Sequence, residues 1–204
     1  MRQVIKKVDS ISTTVFSQFN IARGLANNKV NFGGIKYKAL KSVNVKRYYI
    51  AGESRTIDTE YADIFHDEMI IMPRTVAFLQ SMLKERDIIC LDRIYYLYPK
   101  QKVNLKYVLG VLNSRITNAW FEYYFLTTKV SGNYFDLNGN QIGSIPIPTA
   151  NPNQQQPVID LVNQILSAKK ANPDADTSEW ERQIDALVYD LYGLNEDEIR
   201  IIEG

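Results

Sequence analysis

The chain has 204 residues, of which 45% are hydrophobic and 23% are charged. This composition predicts a folded globular protein and excludes wholesale disorder. A single cysteine, Cys90, excludes a disulfide framework and a cysteine-rich zinc site, and a single histidine, His66, excludes most histidine-based metal sites. No apolar run approaches the roughly 18 residues of a membrane span, and the charged N-terminus lacks a signal-peptide core. We therefore expect a reduced, cytoplasmic setting.

The charges are distributed unevenly along the chain. Residues 1–130 hold 20 Lys and Arg against 11 Asp and Glu, whereas residues 131–204 hold 4 against 12. A basic first part is typical of a surface that meets a polyanion. Ordinary solvated charge on a two-part protein is the alternative explanation of the same pattern.

Branched and aromatic residues between turn signals predict strands in the first 150 residues. The predicted strands lie within residues 11–21, 69–72, 76–82, 88–98 and 134–137. Asn104 is positioned to cap a long helix from about residue 105 to about residue 125. The pair Asn138–Gly139 predicts a turn, and prolines keep Ile145–Pro148 extended.

The chain changes character after Pro148. Pro157 predicts the first turn of a helix, and the spacing of Ser178 with Glu181 predicts the capped start of a second helix. Asn195 and Glu198 repeat that capping spacing before a last turn. We therefore predict a recognition domain at 1–150 and a helical element at 151–204. The predicted fold class is α/β (α+β), with a twisted, mainly antiparallel sheet, a long packed helix and a C-terminal helical hairpin.

Sequence signatures of catalysis are absent. The chain contains no Gly-x-Gly, no Pro-Pro, no Gly-x-Ser-x-Gly and no acidic residue followed two positions later by Lys. These gaps predict that this chain has no catalytic residues, no metal site and no S-adenosylmethionine site. The minority alternative is a small metal-dependent nuclease that uses the mid-chain carboxylates Asp63, Asp67, Glu68, Asp87 and Asp92. Cys90 is predicted to be a core residue, and His66 a surface residue.

Several segments, in a fixed order, carry a resemblance to a known family. They are Arg23–Lys29, Leu40–Tyr48, Met69–Arg74, Leu91–Pro99, Tyr107–Ser114, Ser131–Phe135 and Ile145–Pro148. Together they resemble the TaqI-like specificity domain, or target-recognition domain, of restriction-modification enzymes. The most specific segment is Tyr107–Ser114, which is similar to a family helix that ends in Asn-Ser. Asn113 and Ser114 are predicted to satisfy nearby backbone groups rather than to touch DNA.

The resemblance implies a module that recognises a double-stranded DNA sequence for a type II, fused restriction-methylation enzyme. Such a module directs an adenine-N6 methyltransferase and endonuclease, and its catalytic domain, in cis or in trans, binds the S-adenosylmethionine. The chain itself is then not an enzyme, and we expect it to be a fragment of a larger one. Two further alternatives stay open: an adaptor that docks on a separate methyltransferase, and an RNA- or protein-binding α/β domain.

Candidate DNA-binding residues are cations, amides and tyrosines in predicted loops. The cations expected to contact phosphates are Lys29, Lys36, Lys38, Lys41, Arg74 and Lys129. The residues expected to contact bases are Arg23, Asn27, Asn28, Tyr37, Arg55, Asn133 and Tyr134. Among these, Arg23 has the planar fork that reads a guanine edge, and Lys129 adds a mobile charge near small residues.

Overall fold

The computed structural model describes residues 1–130 and 132–204. Its helices are α1 (Arg2–Ser10), α2 (Val15–Gln18), α3 (Leu105–Asn113), α4 (Arg115–Phe125), α5 (Gly139–Ser144), α6 (Pro152–Ala171), α7 (Ser178–Leu191) and α8 (Glu196–Glu203). Its strands are β1 (Ser12–Thr14), β2 (Phe19–Arg23), β3 (Tyr37–Leu40), β4 (Val45–Lys46), β5 (Tyr49–Ile50), β6 (Arg55–Ile57), β7 (Met69–Pro73), β8 (Thr75–Val76), β9 (Met82–Lys84), β10 (Ile89–Cys90), β11 (Ile94–Pro99), β12 (Lys129–Val130), β13 (Tyr134–Asp136) and β14 (Pro146–Pro148).

The strands form small, mainly antiparallel sheets, and the helices pack around them. The central sheet has the order β2-β11-β7-β9 and is antiparallel throughout. A second sheet, β10-β3-β6, contains the parallel pair β10–β3. A third sheet joins β12, β13 and β8, while β1 pairs with β14 and β4 with β5. This mixed architecture with C-terminal helices confirms the predicted fold class.

Both faces of the central sheet are covered. Along β7, Ile70 and Met72 belong to a hydrophobic cluster shared with the long helices. Met69 and Ile71 point to the other face, into a smaller cluster with residues of β3, β6 and β10. Because both faces are buried, β7 is a continuous apolar run rather than an alternating one. The smaller cluster anchors the loops between residues 23 and 62.

The predicted long helix is two helices, α3 and α4. Asn104 caps α3 as predicted, since its Oδ1 accepts hydrogen bonds from the backbone amides of Lys106 (3.1 Å) and Tyr107 (3.2 Å). The break falls at Ser114, whose backbone is extended at φ −71° and ψ 156°. Its Oγ donates to the Val111 carbonyl oxygen at 2.7 Å and so satisfies the open end of α3. The Ser114 side chain therefore serves the backbone, as predicted.

The structure differs from several local predictions. The turn predicted at Asn138–Gly139 is instead the start of a helix: Asn138 caps α5 in a capping box with Gln141. Helix α6 begins at Pro152 under an Asn151 cap, so Pro157 lies inside the helix rather than in its first turn. The segment 11–21 contains strands on either side of α2, and α1 was not predicted.

The two predicted C-terminal caps differ in outcome. The predicted Ser178 cap is wrong because Thr177 takes the N-cap position, where its hydroxyl donates to Glu181 Oε1 at 2.7 Å. The predicted Asn195–Glu198 capping box is confirmed at the start of α8. At α8 the third helical residue, Glu198, turns back toward the cap, whereas at α7 the fourth residue, Glu181, does so. The predicted three-residue spacing therefore holds only at α8.

The C-terminal helices pack onto the rest of the protein. Helix α6 contacts α3 and α7. A Cβ on Gly110 would lie 2.6 Å from Val158 Cγ1, so glycine is needed where α3 and α6 approach. Ile184 of α7 is fully buried, whereas Leu187 is only partly buried. In the part of the chain that the structure describes, no helix combines the length and apolar character required to cross a membrane.

A buried carboxylate joins α7 to the break between α3 and α4. Asp185 is 3% exposed, and its Oδ1 accepts a hydrogen bond from the Arg115 backbone amide at 2.8 Å. It thereby caps α4 from a neighbouring helix. Burial raises the pKa of Asp185 to about 6, against the pull of the Arg115 amide and of the Arg47 and Arg115 guanidinium groups. The folded carboxyl therefore binds its proton more tightly than the same group in the unfolded chain.

We expect Asp185 to make stability fall as the pH rises from about 4 to about 6 and level off above that. The free energy of unfolding falls by about 2–3 kcal/mol over this range, because each unit of pKa difference between the folded and unfolded chain corresponds to about 1.36 kcal/mol. The check is urea unfolding at several pH values with the Asp185→Asn variant, because asparagine keeps the acceptor without titrating. The free energy of unfolding of wild type, relative to that of the variant, should therefore fall by this amount between about pH 4 and pH 6. Asp190→Asn, an exposed site on the same helix, is the control, and identical profiles for wild type and Asp185→Asn would contradict the assignment.

Candidate nucleic-acid interface

The loop after β2 is fixed tightly on the connection between β10 and β11. A Cβ at Gly24 would lie 2.3 Å from the Leu91 carbonyl oxygen, which explains the glycine. The Leu25 amide donates to the Cys90 carbonyl at 2.8 Å, and the Asp92 amide donates to the Leu25 carbonyl at 2.8 Å. These contacts place Arg23 beside Asp92.

Sheet topology brings distant polar residues to one edge. Strands β3 and β10 are parallel, so their C-terminal ends coincide, and β6 runs antiparallel to β3 and begins at that same edge. Lys41 therefore follows β3, Arg55 begins β6, and Arg93 follows β10 by three residues. With Asn27 they line a cavity of about 400 Å³, which also contains Phe32. We call this cavity, whose lining also includes Ser42, Val43, Leu91 and Asp92, the basic cleft.

The charge of the basic cleft is positive. Its lining contains three cations and one carboxylate, Asp92. That carboxylate is neutralised by Arg23, whose Nη2 lies 2.5 Å from Asp92 Oδ1. Burial opposes ionisation of Asp92, but hydrogen bonds from the Arg93 amide and the Arg23 guanidinium outweigh it and lower its pKa. The Arg55 guanidinium carbon lies 5.1 Å from the centre of the Phe32 ring, so an aromatic face supports this cation.

Arg93 is a functional candidate that the sequence prediction missed. Among the described residues, it forms no ion pair of the kind that holds Arg23, Arg74 and Lys129. Its side chain is exposed, and its backbone takes a positive φ of 70°, which is uncommon for a residue with a Cβ. The available signal was a cation directly before the apolar, strand-like run Ile94–Tyr98.

A second group of predicted residues lies around a separate depression of about 640 Å³. It contains Asn28, Lys29, Lys36 and Tyr37, together with the acidic residues Asp58 and Glu60. Its charge is mixed, which distinguishes it from the basic cleft. The Lys29 ammonium lies 4.8 Å from the centre of the Tyr61 ring, and the Lys36 ammonium lies 5.0 Å from that of Tyr37. Lys38 is exposed on β3 and belongs to neither group.

Two predicted phosphate contacts are engaged within the protein. Arg74 donates from Nε to Asp136 Oδ1 at 2.9 Å and from Nη2 to Asp136 Oδ2 at 2.7 Å. This two-fold pairing lowers the pKa of Asp136. Lys129 lies 2.8 Å from Glu122 Oε1 and over the Phe135 ring, with 14% of its side chain exposed. The cationic ends of both side chains are occupied, in contrast to Arg93.

The last two predicted residues lie near another groove. Ser131, which begins the motif Ser131–Phe135, lies outside the described residues. Asn133 takes a positive φ of 64° in the turn before β13. Tyr134 is exposed and lines a groove with Val43, Lys46 and Phe78. We call this surface the aromatic groove; it shares Ser42 and Val43 with the basic cleft.

The mid-chain carboxylates are dispersed. Among the described residues, no group of three or more His, Cys, Asp and Glu side chains is arranged to hold a metal ion. Asp87 pairs with His66 at 2.8 Å on the surface, and Asp92 pairs with Arg23. Cys90 is fully buried, as predicted for a core residue, and burial raises the pKa of its thiol to about 12.

Comparison with known proteins defines the class of this chain. The family model of the TaqI-like C-terminal specificity domain matches residues 27–147. The match covers more than half of the chain and includes the basic cleft, so the protein belongs to the TaqI-like C-terminal specificity domain family. This confirms the resemblance found in the sequence. No curated protein matches the chain at a significant level.

The chain also resembles solved structures, of which the first shares its fold. The chain is similar to the type IIG restriction endonuclease BpuSI, with a TM-score of 0.61 and 15% identity over 94% of this chain and 33% of that one. It is also similar to the type I restriction-modification S subunit from M. genitalium, with a TM-score of 0.49 and 14% identity over 78% of this chain and 38% of that one. The chain thus spans 33% of the length of the first protein and 38% of the second.

Proposed function

We propose that this chain recognises a specific double-stranded DNA site for a restriction-modification enzyme. The observation that carries the proposal is the basic cleft, where three cations and an amide from four separate segments meet at one sheet edge. Cations that are free of carboxylates attract phosphates, and arginine and asparagine can read base edges. Membership of a specificity-domain family supports the same role.

Within this proposal the predicted residues divide into groups. Lys41 and Arg93 contact phosphates, whereas Asn27 and Arg55 reach base edges. The Arg23 guanidinium is paired with Asp92, so it contacts a base while it keeps that ion pair. The depression formed by Asn28, Lys29, Lys36 and Tyr37, with Lys38 beside it, makes outer phosphate contacts. Asn133 and Tyr134 approach the DNA from the aromatic groove.

The finer proposal is a type II, fused restriction-methylation enzyme. In the fused form a catalytic domain in cis binds S-adenosylmethionine and performs adenine-N6 methylation and cleavage, while this chain selects the sequence; with the catalytic domain in trans, this chain is an adaptor. The similarity to BpuSI, a type IIG restriction endonuclease, favours this form. The alternative is an adaptor that docks on a separate methyltransferase. Co-purification of the chain with a separately expressed methyltransferase would favour the adaptor.

The proposal predicts duplex binding that depends steeply on salt. We expect the logarithm of the binding constant to fall linearly with the logarithm of the salt concentration, with a slope of about 0.9 for each neutralised phosphate. Arg93→Ala and Lys41→Ala should each reduce that slope by about one. Lys129→Ala is the matched control and should leave the slope unchanged, because its ammonium is held by Glu122. Fluorescence anisotropy of a labelled duplex measures all four proteins.

The same titrations separate the rival functions. Affinity that is insensitive to salt would contradict DNA recognition. A preference for duplex RNA over duplex DNA of the same sequence would favour the RNA-binding alternative. Cleavage of the DNA by this chain with added magnesium would favour the nuclease. A salt slope that Arg93→Ala and Lys41→Ala leave unchanged would place the DNA on a different surface from the basic cleft.

A further inference from the structure

The aromatic groove exposes apolar side chains that a folded protein ordinarily covers. Phe78 is 54% exposed, Val43 is 66% exposed and Tyr134 is 45% exposed, and all three line the same groove. An isolated exposed apolar residue needs no explanation, but three around one groove mark a binding surface. The groove has a volume of about 680 Å³, which is open enough to admit a flat ring.

The segment that presents Phe78 is held rigidly. The Leu79 amide donates to Asn118 Oδ1 at 2.7 Å, and the Leu79 side chain is buried. Two residues further, the Ser81 amide donates to Asn113 Oδ1 at 2.8 Å. Helices α3 and α4 therefore fix the chain on the C-terminal side of Phe78 and leave its ring exposed. A ring that is held outward in this way loses little conformational freedom on binding.

The charges around the groove indicate its occupant. Its lining includes Lys46 and Arg47 and contains no Asp or Glu. Arg47 is paired with Glu181 at 2.8 Å, so Lys46 is the cation available there. Through Ser42 and Val43 the groove is continuous with the basic cleft. A groove that combines aromatic faces with cations and lacks carboxylates is suited to nucleobases on a phosphate backbone.

We propose that Phe78 is a base-stacking wedge for the bound duplex. Its ring stacks on a base at a step that it partly opens, while Lys46 contacts the adjacent phosphate. This inference rests on the proposed function and adds a contact whose energy is independent of salt. The wedge also supplies selectivity, because opening a base step costs less at flexible pyrimidine–purine steps.

The test compares variants of the full chain on one labelled duplex. Phe78→Ala should weaken binding about 5- to 150-fold and leave the salt slope unchanged, since no counterion is released by stacking. Lys46→Ala should instead lower the slope by about one. Phe78→Trp should keep the affinity, and its emission should be quenched on DNA, after subtraction of the signal of Trp120 and Trp180 measured with wild type. Ile11→Trp, at an exposed position that lines neither the aromatic groove nor the basic cleft, is the control and should show no quenching.

The outcomes separate this inference from the proposed function. If wild type binds the duplex but Phe78→Ala binds equally well and Phe78→Trp is not quenched, the wedge is wrong and the groove faces a protein partner. If wild type does not bind duplex DNA at all, the proposed function itself is overturned, and the wedge with it. Equal thermal unfolding temperatures for wild type and Phe78→Ala, expected because the ring is exposed, exclude misfolding as the cause of a loss.

Discussion

Replacing Asn113 with alanine is expected to destabilise the protein by about 2–4 kcal/mol. Asn113 is fully buried, and its Oδ1 accepts from the Ser81 amide at 2.8 Å while its Nδ2 donates to the Ser81 carbonyl at 3.0 Å. Removing the side-chain amide takes one hydrogen-bond partner from the buried Ser81 N–H and one from the Ser81 carbonyl. A buried group left unsatisfied costs about 1–3 kcal/mol. The Ser81 carbonyl keeps one bond, from the Tyr48 amide at 3.1 Å, so the cost stays below the full sum.

The measurement is urea unfolding of wild type and variant at one pH. Asn163→Ala is the matched control, because Asn163 lies on α6, is only partly buried and accepts a hydrogen bond from the flexible Lys106 ammonium rather than from a buried backbone group. We expect it to change the free energy of unfolding by less than about 0.5 kcal/mol. A loss of less than 1 kcal/mol for Asn113→Ala would show that Ser81 finds other partners. The Asn113 prediction also bears on recognition, since the same contact holds the segment that presents Phe78.

The elements that could be predicted from the sequence are those with a local cause. Strand β7 is a continuous apolar run because both of its faces are buried, and the run is visible without any structure. Asn104 caps α3 through amides two and three residues away, so the signal and its effect lie together. Asn138 shows the limit of such signals, because Asn-Gly suits a hairpin turn and a helix cap equally well, and the side chain of Gln141 decides between them.

The break at Ser114 could not be predicted from the apolar spacing. That spacing continues from α3 into α4, and the helix is interrupted because Asp185, 70 residues away, caps the new N-terminus. A contact of this range depends on how α7 packs against α4, which periodicity does not describe. The same holds for Arg74, which composition marks as a phosphate contact but which Asp136 engages from 62 residues away.

Most residues of the basic cleft were predicted from the sequence, but their meeting at one sheet edge was not. Asn27, Lys41 and Arg55 were recognised as polar and basic loop residues. They meet because β3 pairs in parallel with β10 and antiparallel with β6, and no local pattern encodes the parallel pairing. Arg93 was missed for the same reason, since its position at the cleft follows from the end of β10.

Replacing Ile184 with alanine is expected to cost about 2–5 kcal/mol, because the side chain is 1% exposed and packs where α7 meets α3. Ile201→Ala on α8, where the side chain is 47% exposed, is the control and should change stability by less than about 0.5 kcal/mol. Urea unfolding measures both variants. A change below 0.5 kcal/mol for Ile184→Ala would mean that the stripe on α7 is open to a partner.

The same variant tests whether residues 1–150 and 151–204 behave as separate domains. Trp120 lies in α4 and Trp180 in α7. The Trp180→Phe variant therefore reports on residues 1–150 through the fluorescence of Trp120, and the Trp120→Phe variant reports on residues 151–204 through that of Trp180. If the two parts unfold independently, Ile184→Ala will lower the urea midpoint of Trp180 and leave that of Trp120 in place. We expect the two midpoints to fall together. Ile184 shares its hydrophobic cluster with Val108 and Trp120, and a cavity opened in a shared core weakens every element that lines it.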